Sequence, residues 1–495
     1  MQLLSKKALA VMTTAGLQYD RDAIQPGILH FSTGNFHRAH QASYYHDLFE
    51  TTNVDADRKW GIIEASVRQG GSYTEDVRPS LNDQDNLYTL VETDQRRVET
   101  HIIGSILSCL PYKKDHQPIK DMLLDENIKI ASMTVTEGGY FIDTATGVFD
   151  PRNEDIQHDA NNPNDPQTIF GLIVQALKHR RDQNLKPFTV MSCDNLPQKG
   201  VVARNTTVGL ARLLDEDLAD WIDQNVAFPC SMVDRITPAP TKELEESVKL
   251  DYEDHSMIFC EPFRQWVIEN NFCNDRPSLD KVGAKFVNDV TPWEEAKLRI
   301  LNAGHASMCY PAALLEIEFV HKAMDHDTIS NFLDKMMANE ILPQVPPVPN
   351  TNLKEYYATI RKRYQNPKLA DRIDRNCENG SDRQTKFILP SLKACLQQGD
   401  DTTSVAGLAT VSAMWCRYCM GETETGSEIR IKDELWETLS KMARDANDDP
   451  LVWVGMEEIY GDLGKEEKFQ NAFENALKLC VDDGVEAAMK AYIDN

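Results

Sequence analysis

The sequence predicts an α/β fold in its first half, a doubly wound parallel sheet, followed by a mainly α-helical second half. Two observations carry this. Short apolar runs rich in β-formers alternate with helix-like stretches up to about residue 200. From Thr291 onward long amphipathic stretches dominate instead. A chain of 495 residues exceeds one ordinary compact domain, so two domains are expected, 1–285 and 286–495.

The strand candidates, in order, are GILHFST (27–33), WGIIEASV (60–67), LYTLVET (87–93), VETHIIGSIL (98–107), IKIASMTVTE (128–137) and FTVMSCD (188–194). NFHRAHQASYYHDLFE (35–50) has helical periodicity, and QTIFGLIVQALKHRRDQ (167–183) reads as a crossover helix. Strands separated by helices imply a parallel sheet covered on both faces. In the second half, helices are expected over 291–321, 327–339, 383–398, 403–420 and 464–492, with LPQVPPVPN (342–350) a stiff loop. A ligand is expected in a cleft between the two domains.

Composition excludes partners more than it identifies them. Against 52 basic residues stand 78 acidic ones, a formal charge of −26. Such a surface repels phosphate backbones and anionic membranes, so neither nucleic acid nor membrane is an expected partner. The N-terminal segment MQLLSKKALAVMTTAGLQ lacks the apolar core and cleavage site of a signal peptide. No apolar run approaches the roughly 20 residues of a membrane helix. Eleven scattered cysteines suit reduced thiols and a cytoplasmic location. Cys416 and Cys419 form a lone C-x-x-C without a second pair to complete a zinc set, so a structural role is expected.

The first strand ends in Ser32-Thr33-Gly34 and opens a helix at Asn35-Phe36-His37-Arg38. A strand-to-helix glycine turn aims backbone N–H groups and the positive helix end at an anion, the arrangement of a Rossmann-type dinucleotide site. Ser32 stands where the first glycine of G-x-G usually falls. Gly34 lets the backbone approach a pyrophosphate, and Arg38 is expected to reach a phosphate. His37 and His40 are three apart, but no third ligand is evident nearby, so no metal is expected. The second strand ends without an acid in Arg68-Gln69-Gly70-Gly71, and Arg68 there is able to accept a 2′-phosphate. The expected cofactor is NAD, with NADP open.

The strongest local pattern is TPWEEAKLRILNAGH (291–305). Thr291 as N-cap, Pro292 at the first helical position and Glu294 as partner make a T-x-x-E capping box. At 100° per residue Asn302 lies about 140° round from Lys297, and His305 about 80° round. Lysine, asparagine and histidine so grouped suit alcohol oxidation: a base takes the hydroxyl proton as hydride departs, and an amide N–H stabilises the oxygen. Gly304 weakens a helix and signals close approach of a ligand or another backbone.

Six segments in this order resemble the polyol-specific long-chain dehydrogenase family, whose members include mannitol 2-dehydrogenases, arabinitol dehydrogenases and fructuronate reductases. They are GNFHRAHQ (34–41), TVTEGGY (134–140), SCDNLPQKG (192–200), SMVDRITP (231–238), EPFRQWVIE (261–269) and KLRILNAGH (297–305). The resemblance implies a metal-independent, NAD(P)-dependent oxidoreductase interconverting a sugar alcohol and a ketose, with D-mannitol and D-fructose the expected pair. It implies Lys297 as base, with Asn302, His305 and Asn195 completing the catalytic set. It also implies Asp234, Arg375 and Arg383 as substrate contacts, and a monomer. The rivals are a fructuronate reductase, an arabinitol dehydrogenase, and a nucleotide-binding sensor without catalysis.

Overall fold

The computed structural model describes residues 1–9, 16–51, 55–69, 76–143, 148–238, 242–398 and 403–495. The chain divides into two compact units, Met1–Thr291 and Pro292–Asn495, a few residues beyond the boundary expected from sequence. Unit one is built on β1 (Pro26–Phe31), β2 (Gly61–Ala65), β3 (Tyr88–Thr93), β4 (Val98–Ile103), β5 (Ile106–Cys109), β6 (Ile130–Met133), β7 (Thr189–Ser192), β8 (Ser231–Asp234), β9 (Ile258–Cys260), β10 (Gln265–Glu269) and β11 (Lys285–Val287).

The central sheet has the order β5-β2-β1-β6-β7, and all its pairs are parallel. The chain starts at β1, winds out to one edge, then returns to build the other half from β6. This is the Rossmann topology, with its switch point between β1 and β6. Alternation sorts the strand residues onto two faces. Leu29, Phe31, Ala65, Met133 and Val190 meet helices Gln117–Leu124, Ile169–Asp182 and Lys199–Leu214 through Leu123, Ile173 and Leu210. Ile28, Ile62, Ile130 and Met191 face helix Gln41–Thr51 through Tyr45, Leu48 and Phe49. Both faces are covered, which explains why these strands read as unbroken apolar runs.

Two small sheets flank this core, β11-β10-β8 and β4-β3-β9. The apolar run 98–107, expected as one strand, is two: β4 pairs antiparallel with β3, and β5 joins the central sheet beside β2. The break falls at Gly104 and Ser105, where the Arg21 guanidinium donates to the carbonyls of Gly104 and Ile106. The helix expected over 35–50 is also two, Asn35–Ala39 and Gln41–Thr51. His40, between them, leaves helical dihedrals (φ −111°, ψ −82°), and its Nε2 lies 2.9 Å from the Gln265 carbonyl.

One buried cation ties several of these pieces. The Arg180 guanidinium, on helix Ile169–Asp182, donates to the carbonyls of Leu123, Asp125, Ile128 and Lys186 and lies over the Phe188 ring. Burial pulls its pKa down to about 10.

Unit two is helical. Helix Ala406–Cys419 is its hub, packing on Glu467–Asp482 and on Ala303–Leu314. Its N-terminus is capped by the buried Glu340 carboxylate, which accepts from the backbone N–H groups of Gly407 and Leu408, each at 2.9 Å. Opposite charge at a helix start satisfies free amides and complements the dipole. Cys416 and Cys419 lie buried on this helix, and burial pushes both thiols well up. All eleven cysteines are free.

Three helices here contain π turns, Lys297–Asn302, Met337–Ile341 and Gln384–Ile388, and the first packs against the other two. The stretch expected over 291–321 therefore runs Thr291–Ala296, the π turn, then Ala303–Leu314, with Val320–Asp325 a separate helix. The expected 464–492 helix is likewise divided at Gly484 (φ +86°). No helix among the described residues is long and apolar enough to cross a membrane.

Replacing Arg180 by Met would strip the carbonyls of Leu123, Ile128 and Lys186 of the guanidinium donor and leave that of Asp125 with the Ile128 N–H alone. The expected outcome is a loss of about 3 kcal/mol or more in chemical unfolding, read as a lowered denaturant midpoint. A midpoint equal to the parent's would contradict the clamp.

Candidate active site

In unit one the candidate residues collect at the C-terminal ends of the central strands. Ser32 follows β1 with φ +85°, the left-handed conformation a glycine usually supplies. The tight turn of G-x-G thus survives without its first glycine. The Ser32 backbone N–H donates to the Ala65 carbonyl at 3.0 Å, tying the turn to the end of β2. Thr33 comes next, and its buried hydroxyl has no hydrogen-bond partner among the described residues. At Gly34 a Cβ would meet only the Ser32 hydroxyl, 4.0 Å away, so the protein leaves the space above this backbone open. An orphan hydroxyl beside open backbone fits a dinucleotide phosphate.

The residues following serve the turn in other ways. The Asn35 side-chain oxygen accepts from Arg38 at 3.0 Å, and the half-buried Phe36 ring stacks on His40. Arg38, expected to reach a phosphate, does not point outward. It is 3% exposed, donates to the Ser256 carbonyl at 2.6 Å and lies over the Tyr88 ring. A guanidinium spent on internal acceptors holds the loop instead of the ligand. Arg68 is exposed in the loop after β2, while Gly70 and Gly71 lie outside the described residues.

Sequence spacing missed the partners of His37. Its Nε2 lies 2.8 Å from a Glu64 carboxylate oxygen, and its ring stacks on His30 at 3.5 Å between centroids. His30, Glu64 and Ser132 are cross-strand neighbours on β1, β2 and β6. Donor atoms of His30, His37 and Glu64 lie within 4.8 Å of one another, a grouping that resembles a metal set. Both His30 nitrogens are committed, however, Nδ1 to the Ser132 hydroxyl at 2.8 Å and Nε2 to Thr134 at 3.1 Å.

Asn195 is exposed in the turn between β7 and helix Lys199–Leu214. Its neighbour Asp194 fixes that turn. The Asp194 carboxylate accepts from the backbone N–H groups of Val135 and Thr136, at 3.0 and 2.9 Å, and from the Tyr140 hydroxyl at 2.6 Å. Burial raises its pKa against the pull of these donors. Asp234 is buried as the last residue of β8. Arg235 beside it donates to the carbonyls of Ala39 and Glu261 and pairs with Glu92.

In unit two the candidate residues lie on and around one helix. The helix start differs in detail from the expected Thr291 cap: the Asp289 carboxylate accepts from the Thr291 backbone N–H at 2.9 Å. That contact and the Thr291 hydroxyl hold Asp289 below the usual carboxylate range. Lys297 and Asn302 then bound the π turn. In a π turn hydrogen bonds run i→i+5, so residues five apart stand on successive turns of one face. The α-helical projection put the three residues on one arc of about 140°, and the π turn brings Asn302 nearer to Lys297 within it. Lys297 is 6% exposed, Asn302 is half-buried and His305 is 9% exposed.

His305 has an unexpected neighbour in Asp371, with Nε2 3.6 Å from a carboxylate oxygen. That is too long for a hydrogen bond, and Nε2 has no other hydrogen-bond partner among the described residues. Burial first, then the charges of Arg383, Arg375 and Arg363, hold the imidazole well below its ordinary pKa. Burial raises Asp371, and Arg375 and Arg383 pull it back. The structure thus brings His305, Arg375 and Arg383 into one electrostatic neighbourhood around Asp371. Arg375 is exposed, and Arg383 is half-buried with its Nε donating to the Glu378 carbonyl. No spacing rule could have found Asp371, because a loop brings it in 66 positions after His305.

A Rossmann unit with an open phosphate turn, and a helical unit bearing a lysine, an amide and a neutral imidazole, define a two-domain nucleotide-dependent oxidoreductase. Residues 26–281 match the mannitol dehydrogenase Rossmann domain, and residues 289–481 the mannitol dehydrogenase C-terminal domain. The chain belongs to the mannitol dehydrogenase family and is a polyol dehydrogenase. It is 46% identical over 476 residues to mannitol 2-dehydrogenase of Cereibacter sphaeroides, covering 96% of this chain and 98% of that one. Among solved structures it is similar to the Pseudomonas fluorescens mannitol 2-dehydrogenase ternary complex with NAD and D-mannitol. That match has a TM-score of 0.88 and 35% identity over the whole of both chains. A D-sorbitol dehydrogenase in substrate-free form matches with a TM-score of 0.86 and 30% identity, covering 99% of this chain and 100% of that one.

His30 and His305 both have folded-state pKa values well below the ordinary 6.5. The unfolded chain therefore takes up a proton at each as pH falls through 6.5, while the folded chain does not. Stability is full above that value and falls below it, by about 1.4 kcal/mol per pH unit for each histidine. Denaturant midpoints from pH 7.5 to 5.5 should fall accordingly, and His305→Gln should flatten the slope. A pH-independent midpoint would be inconsistent with neutral burial.

Proposed function

We propose that the chain oxidises D-mannitol to D-fructose, and reduces the ketose in reverse, with NAD as cofactor and Lys297 as general base. The observation that carries this reading is the π turn that sets Lys297 and Asn302 on one helix face, one turn before His305. Its support from relatives is the solved complex named above, which holds NAD and D-mannitol.

Thr33, Gly34, Asn35 and Phe36 hold the pyrophosphate through backbone N–H groups and the Thr33 hydroxyl, and Ser32 shapes the turn under it through its left-handed backbone, its own N–H being taken by Ala65. Arg68 faces the adenosine end, and because the sequence places this arginine and no acid directly after the second strand, NADP is an accepted alternative. Bound NAD supplies the hydride acceptor. Lys297 takes the proton of the hydroxyl on the carbon being oxidised. Asn302 and Asn195 donate side-chain N–H groups to the oxygen as it gains negative character. His305, kept neutral, holds a substrate hydroxyl without adding a charge. Asp234, Arg375 and Arg383 take the remaining hydroxyls. With an amine as base and amides as oxyanion donors, the chemistry requires no Lewis acid.

Two cations beside His305 also favour a second reading, a fructuronate reductase, because a sugar acid carries a carboxylate for them to bind. Initial rates on mannitol, arabinitol and mannonate, each with NAD and NADP, separate the two. Mannitol with NAD is expected to be turned over fastest, and a strong preference for mannonate would overturn the polyol assignment. Lys297→Ala should lower kcat by ~10³-fold or more while NAD affinity by fluorescence titration stays within about twofold. A mutant as fast as the parent would remove the assigned base, and loss of all turnover in the parent would favour a nucleotide sensor.

A further inference from the structure

We infer that Tyr364 is a positioning residue for the Lys297–Asn302–His305 set, acting by holding the π turn open; this rests on the proposed function above. Tyr364 is the last residue of helix Leu353–Tyr364 and is 2% exposed. Its hydroxyl donates to the Leu301 carbonyl at 2.6 Å and lies 3.5 Å from that of Ile300. Both carbonyls belong to the π turn. A widened turn disrupts the i→i−4 ladder, and a side chain inserted there supplies the donor that a carbonyl at its end needs.

The same ring touches the third member. Tyr364 and His305 have ring centroids 4.6 Å apart at an interplanar angle of 56°. One side chain therefore sets both the register of Lys297 against Asn302 and the tilt of the imidazole.

Gly304 is the reason the hydroxyl can reach its carbonyls. A Cβ at residue 304 would lie 2.3 Å from the Tyr364 oxygen, 3.1 Å from its Cζ and 3.3 Å from Met337 Cε. The glycine, helix-weakening where it stands, makes room for a tyrosine instead of a ligand or a backbone. Met337 opens a second π turn, so the two irregular segments meet at this point.

The test is a double-mutant cycle with Tyr364→Phe and Gly304→Ala. The first keeps the ring and removes only the donor. The second keeps the donor and drives it off the carbonyl. Each is expected to lower kcat about 10- to 100-fold by misplacing the reacting groups, with polyol KM and cofactor Kd within about twofold. In Tyr364→Phe the struck oxygen is gone, so adding Gly304→Ala should cost little more. The limb of the kcat pH profile that belongs to Lys297 should also move. A parent active on polyol whose Tyr364→Phe variant keeps its kcat and pH profile overturns the inference, as does full additivity of the two changes. A parent inactive on every substrate removes the proposed function instead. Amide hydrogen exchange over residues 297–306 then decides on the turn: faster exchange in Tyr364→Phe supports the inference, and unchanged protection overturns it.

Discussion

The five-residue spacing of Lys297 and Asn302 is compatible with a shared face only where the helix widens to a π turn. This constraint organises much of unit two. It requires a donor for displaced carbonyls, which Tyr364 provides, and a residue without a side chain opposite that donor, which is Gly304. It also places His305 against the tyrosine ring and within reach of Asp371. An ordinary α-helix would satisfy its own backbone better but would spread the three polar groups over an arc of about 140°.

Unit one meets a different demand with the same economy of parts. A phosphate turn has to be rigid yet leave its backbone amides free. Here the rigidity comes from groups that face inward: Arg38 on the Ser256 carbonyl, His37 against Glu64, His30 on Ser132 and Thr134. The left-handed Ser32 shows that the turn conformation, and not the glycine itself, is what the fold retains.

Much of the fold was legible because buried parallel strands carry unbroken apolar runs, as in GILHF and GIIEA. The strands β8 to β11 were not, since three of them span only three or four residues. The β4–β5 division was hidden for another reason: both halves are apolar around Ile102–Ile106, and only the Arg21 contacts reveal that the chain changes sheets there. Arg38 misled because a cation in a phosphate motif reads as a ligand arm, whereas its burial depends on Ser256 and Tyr88, far along the chain. The Lys297, Asn302 and His305 motif was visible as residues, but its geometry was not. Sequence periodicity assumes one angle per residue, and a π insertion changes that angle over a single turn.

Asp194 joins the segment after β6 to the turn after β7 through one carboxylate. Neither segment can shift alone without stripping that carboxylate of a donor in a buried setting. The two segments are therefore tied through one side chain, and a change in either is felt at the other.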